Sequence, residues 1–162
     1  MERFDIIDER NRVLKQVNRN IAHKNHLLHR SVHIILVNNE KKVLLQLRAK
    51  TKWQYPNYWT SSVAGHVRAG ETPVRAAYRE MKEELGIKTK LRFIGRFIVN
   101  DRVEHEMTFV FLGRYNGKLR LLKDEMQKAE FFNFSKTKIL KLTPHSKKAI
   151  AIAKKIIGME NY

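Results

Sequence analysis

The segment GHVRAGETPVRAAYREMKEELGI, residues 65–87, is the most informative stretch of the chain. Its pattern predicts a loop followed by a helix. Thr72 is suited to cap that helix and Pro73 to occupy its first position, while Gly86 suits its end. Between these residues, apolar side chains recur at helical spacing and form a stripe for the core: Val74, Ala77, Tyr78, Met81 and Leu85. The pattern predicts one amphipathic helix packed on the rest of the fold.

Three glutamates of this helix, Glu80, Glu83 and Glu84, stand at i, i+3 and i+4 and therefore share one face. Like charges at this spacing repel one another and destabilise an isolated helix. A hard divalent cation removes that cost, since Mg²⁺ prefers oxygen ligands and commonly bridges carboxylates to substrate phosphates. The alternative is an acidic face in solvent. We interpret the three residues as candidate ligands for Mg²⁺ or Mn²⁺.

The pattern G-x5-E-x7-R-E-x-x-E-E-x-G, which starts at Gly65, resembles the box of the Nudix hydrolases. The resemblance implies that Glu71 and Arg79 form a supporting pair that holds the loop against the helix. It implies that the metal ligands are the carbonyl of Gly65 and three helix carboxylates: Glu80, Glu83 and Glu84. The implied fold is a single α/β (α+β) Nudix domain over residues 1–162, an α/β/α sandwich with a mixed central sheet, on which residues 1–30 pack.

A second constellation resembles isopentenyl-diphosphate isomerase and its hydrolase-like relatives. The likeness spans about residues 4–132 and rests on a histidine-containing segment (23–29), LLQLRAKTKWQYPNYW (44–59), SSVAGH (61–66) and VEHEM (103–107). It implies a second metal site of three histidines and two glutamates: His23, His29, His66, Glu104 and Glu106. Imidazole with carboxylate suits Mn²⁺, Fe²⁺ or Zn²⁺ better than Mg²⁺.

Two alternative interpretations of the residues of this second site stay open. The upstream histidines can be ordinary exposed residues of a polar segment. Glu104 and Glu106 are two apart on a predicted strand and so face the same way. Either of them can instead serve a hydrolase as a metal ligand or as the general base.

The chain departs from the isomerases in two respects. Ala64 stands where the isomerase carries its catalytic cysteine, and alanine cannot exchange a proton with an alkene. The glutamate set of the box, which isomerases have partly lost, is complete here. The same resemblance implies that three cationic side chains contact the substrate diphosphate: Arg19, Arg48 and Lys52.

These features predict a metal-dependent Nudix hydrolase in which water attacks phosphorus and cleaves a diphosphate bond of a nucleoside diphosphate derivative. The candidate catalytic carboxylates are Glu83, Glu84 and Glu104. One alternative is an isopentenyl-diphosphate isomerase-like enzyme, which Ala64 disfavours. The other is a noncatalytic module that keeps the fold and binds phosphate or RNA.

The composition restricts the partners more than the fold. The 162 residues include no cysteine, which excludes disulfides and thiol chemistry. A net charge of +17 favours a phosphate-bearing ligand, whether a diphosphate, a nucleotide or RNA, although no run of five basic residues and no RNA-module pattern singles out RNA. The first residues show no secretory signal and no apolar stretch could span a bilayer, so we expect a cytoplasmic protein without a membrane partner.

Apolar alternation and turn residues predict the remaining elements. Two short strands are expected within residues 3–17 and a closing amphipathic helix at 143–157. Longer strands are expected at residues 32–37, 43–47, 59–65, 91–99, 106–115, 118–122 and 130–134. Asn116 and Gly117 predict a hairpin turn before residues 118–122, and residues 123–128 read as a loop.

Overall fold

The computed structural model describes residues 1–121, 124 and 126–160, which form a mixed sheet between two long helices. The helices are α1 (Arg19–Lys24), α2 (Pro73–Leu85) and α3 (Pro144–Met159), with a 3-10 helix at Phe134–Ile139. The strands are β1 (Arg3–Ile7), β2 (Val13–Asn18), β3 (His29–Val37), β4 (Val43–Arg48), β5 (Trp59–Thr60), β6 (Val63–His66), β7 (Leu91–Asn100), β8 (His105–Arg114) and β9 (Met126–Phe132). This architecture confirms the predicted α/β/α class.

Strand β3 lies at the centre of the sheet. It runs parallel to β8 along its whole length, with His29 opposite Glu106 and Val37 opposite Arg114. On its other edge it pairs antiparallel with β6. Strand β7 continues the sheet beyond β8, while β4 pairs with both β5 and β9. The register therefore brings the start of β3, the end of β6 and the start of β8 to one place.

The side chains of β3 alternate between the two long helices because successive strand residues point to opposite faces. Val32, Ile34 and Leu36 join the core cluster beneath α2, whereas Ile35 and Val37 join the one beneath α3. Helix α2 contributes Ala76, Ala77, Met81 and Leu85 to its cluster. Helix α3 contributes Ala149, Ile150, Ala153 and Ile157. Each helix is thus held by burial of one apolar stripe.

The ends of α2 lie where the sequence predicts them. Thr72 caps the helix, and its side chain accepts a hydrogen bond from the Arg75 backbone nitrogen at 3.3 Å. Gly86 ends it in the left-handed conformation, with φ of 63°, and its nitrogen donates to the Lys82 carbonyl. Glycine adopts this conformation without the steric cost that a Cβ brings.

The predicted strand at residues 59–65 proves to be two strands, β5 and β6. Ser61 and Ser62, between them, are fully buried. Ser62 Oγ donates to the Leu44 carbonyl at 2.6 Å and accepts from the Leu36 nitrogen at 2.8 Å. These side-chain bonds compete with a continuous strand ladder.

The prediction of a strand at residues 118–122 is wrong for residues 118–121, which are described and are not part of a strand. Leu122 lies outside the described residues. Instead of forming a hairpin turn, Asn116 makes two hydrogen bonds with Asn39. Its Oδ1 accepts from the Asn39 backbone nitrogen, and its Nδ2 donates to Asn39 Oδ1. Strand β9 begins at Met126, inside the predicted loop 123–128, of which residues 123 and 125 also lie outside the described part. Among the described residues, no helix is long and apolar enough to cross a membrane.

Candidate active site

The three glutamates of α2 line one cleft at the edge of the sheet. Glu80 and Glu84 are buried, and Glu83 is half-buried. Glu80 Oε1 accepts a hydrogen bond from Arg79 Nη1 at 2.6 Å, and Glu84 Oε2 accepts one from Gln46 Nε2 at 3.2 Å. Hydrogen bonds therefore hold the carboxylates of Glu80 and Glu84 in the cleft, and carboxylate oxygens are the ligands that a hard divalent cation prefers.

Gly65, on β6, lies directly against the side chain of Glu80. A Cβ at this position would overlap with Cγ, Cδ and Oε1 of Glu80. The backbone of β6 therefore approaches the Glu80 carboxylate more closely than any other residue type at position 65 would allow. This close approach fits the implied role of the Gly65 carbonyl beside the carboxylates.

Arg79 joins the loop before α2 to the helix itself. Its Nε and Nη2 donate to the two oxygens of Glu71 at 2.8 and 2.9 Å, and Nη2 also donates to the His66 carbonyl at 2.9 Å. Burial alone would raise the pKa of Glu71, but its hydrogen bonds with Arg79 and the Arg68 nitrogen outweigh burial and lower that pKa. Glu71 and Arg79 thus form a charged pair at the base of the site.

The three cations expected to contact phosphate, Arg19, Arg48 and Lys52, line the same cleft as the helix glutamates. Arg48 is positioned by Nε and Nη2, which donate to the Gln54 carbonyl at 3.2 and 2.9 Å. Arg19 Nη1 donates to Glu2 at 3.0 Å. The structure therefore brings an acidic wall and basic side chains together, although they are distant in sequence.

Three of the predicted histidines meet beside this cleft. His23, His29 and His66 each offer a ring nitrogen, and these atoms lie within 4.8 Å of one another. Glu106 Oε1 is 3.0 Å from His66 Nε2 and 3.5 Å from His29 Nε2. His29 Nδ1 lies 2.7 Å from the Leu27 carbonyl, which directs Nε2 toward the cluster. A metal-binding histidine is commonly oriented by such a contact on its other nitrogen.

Glu104, the fifth predicted ligand, contacts a residue that the sequence analysis did not select. Its Oε2 lies 3.0 Å from Nδ1 of His145, and Nε2 of the same ring lies 3.2 Å from Glu106 Oε2. Glu104, Glu106 and His145 form a second group whose ligand atoms lie within 4.8 Å. Glu106 therefore contacts histidines on both of its oxygens.

The surroundings shift the pKa values of the rings in and beside this cluster in opposite directions. Burial lowers the pKa of His23 to about 4 and that of His33 to about 3. At His145, contacts with Glu104 and Glu106 outweigh burial and raise the pKa to about 10. Burial would raise the pKa of Glu106, but the surrounding histidines outweigh it and hold that pKa well below its usual value. Glu106 is therefore an ionised carboxylate in the interior.

Two further site residues were missed, and each left a weak signal in the sequence. Gln46 interrupts the apolar strand pattern VLLQLR and is fully buried beside Glu84. His145 follows Thr143 and Pro144, at the start of a helix whose apolar pattern begins later. A polar residue inside an apolar strand indicates a buried partner, and Gln46 carries this signal, whereas His145 is marked only by its place in the first turn of the helix.

Comparisons with known proteins show which family the chain resembles. A family model described as the NUDIX domain matches residues 27–152. The isopentenyl-diphosphate Delta-isomerase 2 of Photorhabdus laumondii is 31% identical over 140 residues, which cover 83% of this chain and 79% of the isomerase. An uncharacterized Nudix hydrolase of Pseudomonas aeruginosa is 34% identical over 126 residues, which cover 77% of this chain and 75% of the hydrolase.

The fold is also similar to a solved structure. The crystal structure of DR0079 from Deinococcus radiodurans matches with a TM-score of 0.77 and 20% sequence identity. The match covers 94% of this chain and 98% of that one. At this level of identity the likeness concerns the fold alone.

Proposed function

The chain belongs to the NUDIX domain family and is a Nudix hydrolase, and we propose that it uses divalent cations to cleave the diphosphate bond of a nucleoside diphosphate derivative. One observation carries the proposal: the glutamates of α2 share a cleft with Arg19, Arg48 and Lys52. A diphosphate needs both features, because cations bound by carboxylates and basic side chains together neutralise its oxygens.

The residues that would hold Mg²⁺ or Mn²⁺ are Glu80, Glu83, Glu84 and the carbonyl of Gly65. Two observations support the fit: the carboxylates line one cleft, where hydrogen bonds hold Glu80 and Glu84, and the backbone of Gly65 makes a close contact with Glu80 that only glycine permits. Bound there, the cations would polarise a phosphoryl oxygen and lower the pKa of an attacking water.

The side chains of this protein would perform the remaining tasks. Arg48 or Lys52 would hold the leaving phosphate, and Arg19 would contact the diphosphate. The acceptor of the water proton is one of two cleft carboxylates, Glu83 or Glu104. A pH–rate profile distinguishes them, because replacing the acceptor by glutamine removes the acidic limb of kcat, whereas replacing a residue with another role leaves that limb in place.

We further propose that His23, His29, His66 and Glu106, with Glu104 nearby, hold an additional ion of the Mn²⁺, Fe²⁺ or Zn²⁺ class. The ring nitrogens converge within 4.8 Å, and His29 Nε2 is buried with no hydrogen-bond partner. A buried imidazole nitrogen without a partner is costly unless an ion or a proton donor occupies the space beside it.

An isopentenyl-diphosphate isomerase-like activity is the second candidate. The identity to the Photorhabdus isomerase favours it, as does the presence of the five residues that the resemblance to the isomerases implies as metal ligands. Ala64, which lines the cleft, has no exchangeable proton to give to an alkene. Both reactions should therefore be assayed in parallel with Mg²⁺ and with Mn²⁺. Isomerisation of isopentenyl diphosphate without release of phosphate would overturn the hydrolase assignment.

The substrate can be found with a phosphate-release screen. Nucleotide sugars, dinucleoside polyphosphates, NADH, oxidised dNTPs, capped RNA and prenyl diphosphates should be tested with the wild-type chain. Glu84→Gln serves as the background control, because it removes one carboxylate of the cleft without changing side-chain size. Turnover equal in the wild type and in Glu84→Gln for every compound would count against the proposed site.

A further inference from the structure

Glu104, Glu106 and His145 form a compact group outside the Nudix box, here called the His145 group. Each residue offers a ligand atom within 4.8 Å of the others. Glu106 and His145 are buried, and only 12% of the Glu104 side chain is exposed. Two carboxylates and an imidazole that converge away from solvent are a donor set for a transition metal.

The ring of His145 is held in place from several sides. It lies in the first turn of α3, where Thr143 Oγ1 donates to Ser146 Oγ at 2.8 Å and accepts from the Ser146 nitrogen at 3.4 Å. The ring stacks on that of His33, with 5.3 Å between the ring centroids and 10° between the ring planes. His33 Nδ1 is in turn 2.8 Å from Ser61 Oγ. A ligand fixed in this way loses little conformational entropy when an ion binds.

Nε2 of His145 is the atom that most requires an explanation. It is buried and makes no hydrogen bond, although Glu106 Oε2 lies only 3.2 Å away. The two atoms are close but not aligned for an N–H···O bond. Their separation is that of two adjacent ligands on one ion, which are about 3 Å apart when each bond is about 2.1 Å long and the bonds meet near a right angle.

We propose that Glu104, Glu106 and His145 bind a divalent transition-metal ion, distinct from the cations proposed at α2. Glu106 then gives one oxygen to this ion and the other to the three-histidine cluster. The sharing follows from the contacts of Glu106: Oε2 lies beside His145, and Oε1 beside His66 and His29. Because the donors are imidazole and carboxylate, the ion belongs to the Mn²⁺, Fe²⁺ or Zn²⁺ class.

The competing arrangement places a proton where we place the ion. A protonated His145 ring between two carboxylates would neutralise charge without any metal. The two arrangements predict different metal contents for the same residues, and neither depends on whether the protein hydrolyses a diphosphate.

The test counts ions in the full-length chain. Wild type, His145→Gln and His26→Asn should be stripped with chelator, reloaded with Zn²⁺, Mn²⁺ or Mg²⁺, desalted and analysed by inductively coupled plasma mass spectrometry. His26 is a matched control, since its ring lies outside both groups, its Nε2 contacts Asn100 at 3.0 Å, and asparagine tolerates its φ of 53°. We expect His145→Gln to hold one Zn²⁺ or Mn²⁺ fewer than the other two proteins, with the same Mg²⁺ content.

A second measurement needs no variant, in case His145→Gln does not fold. Wild-type crystals soaked in Zn²⁺ and measured at the zinc absorption edge should show an anomalous peak between the three side chains, separate from any peak at α2. An empty anomalous map at the His145 group, or equal metal content in His145→Gln and His26→Asn, would overturn the proposal in favour of the protonated ring.

Discussion

The side chain of Glu80 occupies the space in which a Cβ of residue 65 would lie, so glycine at that position and the position of the carboxylate depend on each other. Gly65→Ala should push the Glu80 carboxylate away from β6. We expect a loss of about 1–3 kcal/mol in the free energy of unfolding, together with weaker Mg²⁺ binding. Gly158→Ala is the matched control, because a Cβ there meets open space. Denaturant unfolding and calorimetric Mg²⁺ titration of both variants provide the measurements, and equal values would contradict this account.

The carboxylates of α2 should matter for turnover more than for stability. We expect Glu83→Gln and Glu84→Gln to lower kcat by at least about 10²-fold, because each removes charge that stabilises the transition state through the cations. Without metal, the free energy of unfolding should change little, because each change removes a like-charge repulsion, which at Glu83 is offset by loss of the ion pairs with Arg79 and Arg68 at 3.4 and 3.6 Å. Kinetics on the substrate found in the screen test the first statement and metal-free denaturation the second. Glu40→Gln, on an exposed turn, is the control, and full activity in both helix variants would place the reaction elsewhere.

Gln46 should contribute to both stability and catalysis. Its Nε2 donates to Glu84 at 3.2 Å and also contacts the Ser62 carbonyl. Gln46→Leu keeps the volume but leaves a buried carboxylate oxygen and a buried carbonyl without this donor. We expect a loss of about 1–3 kcal/mol in the free energy of unfolding and partial recovery of stability when Mg²⁺ is added. A variant as stable as wild type with and without Mg²⁺ would show that this contact has no such role.

Arg79 cannot be replaced by lysine without loss, because lysine cannot make its two parallel bonds to Glu71. Arg79→Lys should also lose the bond to the His66 carbonyl at 2.9 Å. We expect a decrease of about 1.5–3 kcal/mol in the free energy of unfolding, in line with charged hydrogen bonds. The control is Arg12→Lys, because Arg12 pairs with Asp8 at a mostly exposed site. Urea denaturation of both variants gives the comparison, and equal midpoints would contradict the prediction.

His66 tests the ion proposed for the three-histidine cluster. Its Nε2 lies 3.0 Å from Glu106 Oε1, next to the ring nitrogens of His23 and His29. We expect His66→Ala to lose one equivalent of bound Mn²⁺ or Zn²⁺ while the fold persists by circular dichroism. Elemental analysis gives the stoichiometry. An unaltered ion count would remove His66 from the set of ligands.

Local signals explain which parts of the molecule could be predicted. The caps and the apolar stripe of α2 lie within a few residues of one another, so its ends follow from the sequence alone. The contact between His145 and Glu104 joins residues far apart in the chain, and nothing near Thr143 specifies that partner. The alternation of β3 predicts a strand, but it does not tell which helix covers each face. The break at Ser61 and Ser62 escaped prediction because two small polar residues fit a strand pattern equally well.

Glu106 contacts His29 and His66 with one oxygen and His145 with the other. A single side chain on a central strand thereby ties a residue near the start of the chain to a helix near its end. Bringing such distant segments together costs loop entropy, which contacts of this kind must offset. A change at Glu106 would therefore weaken contacts of an early strand and of the last helix together.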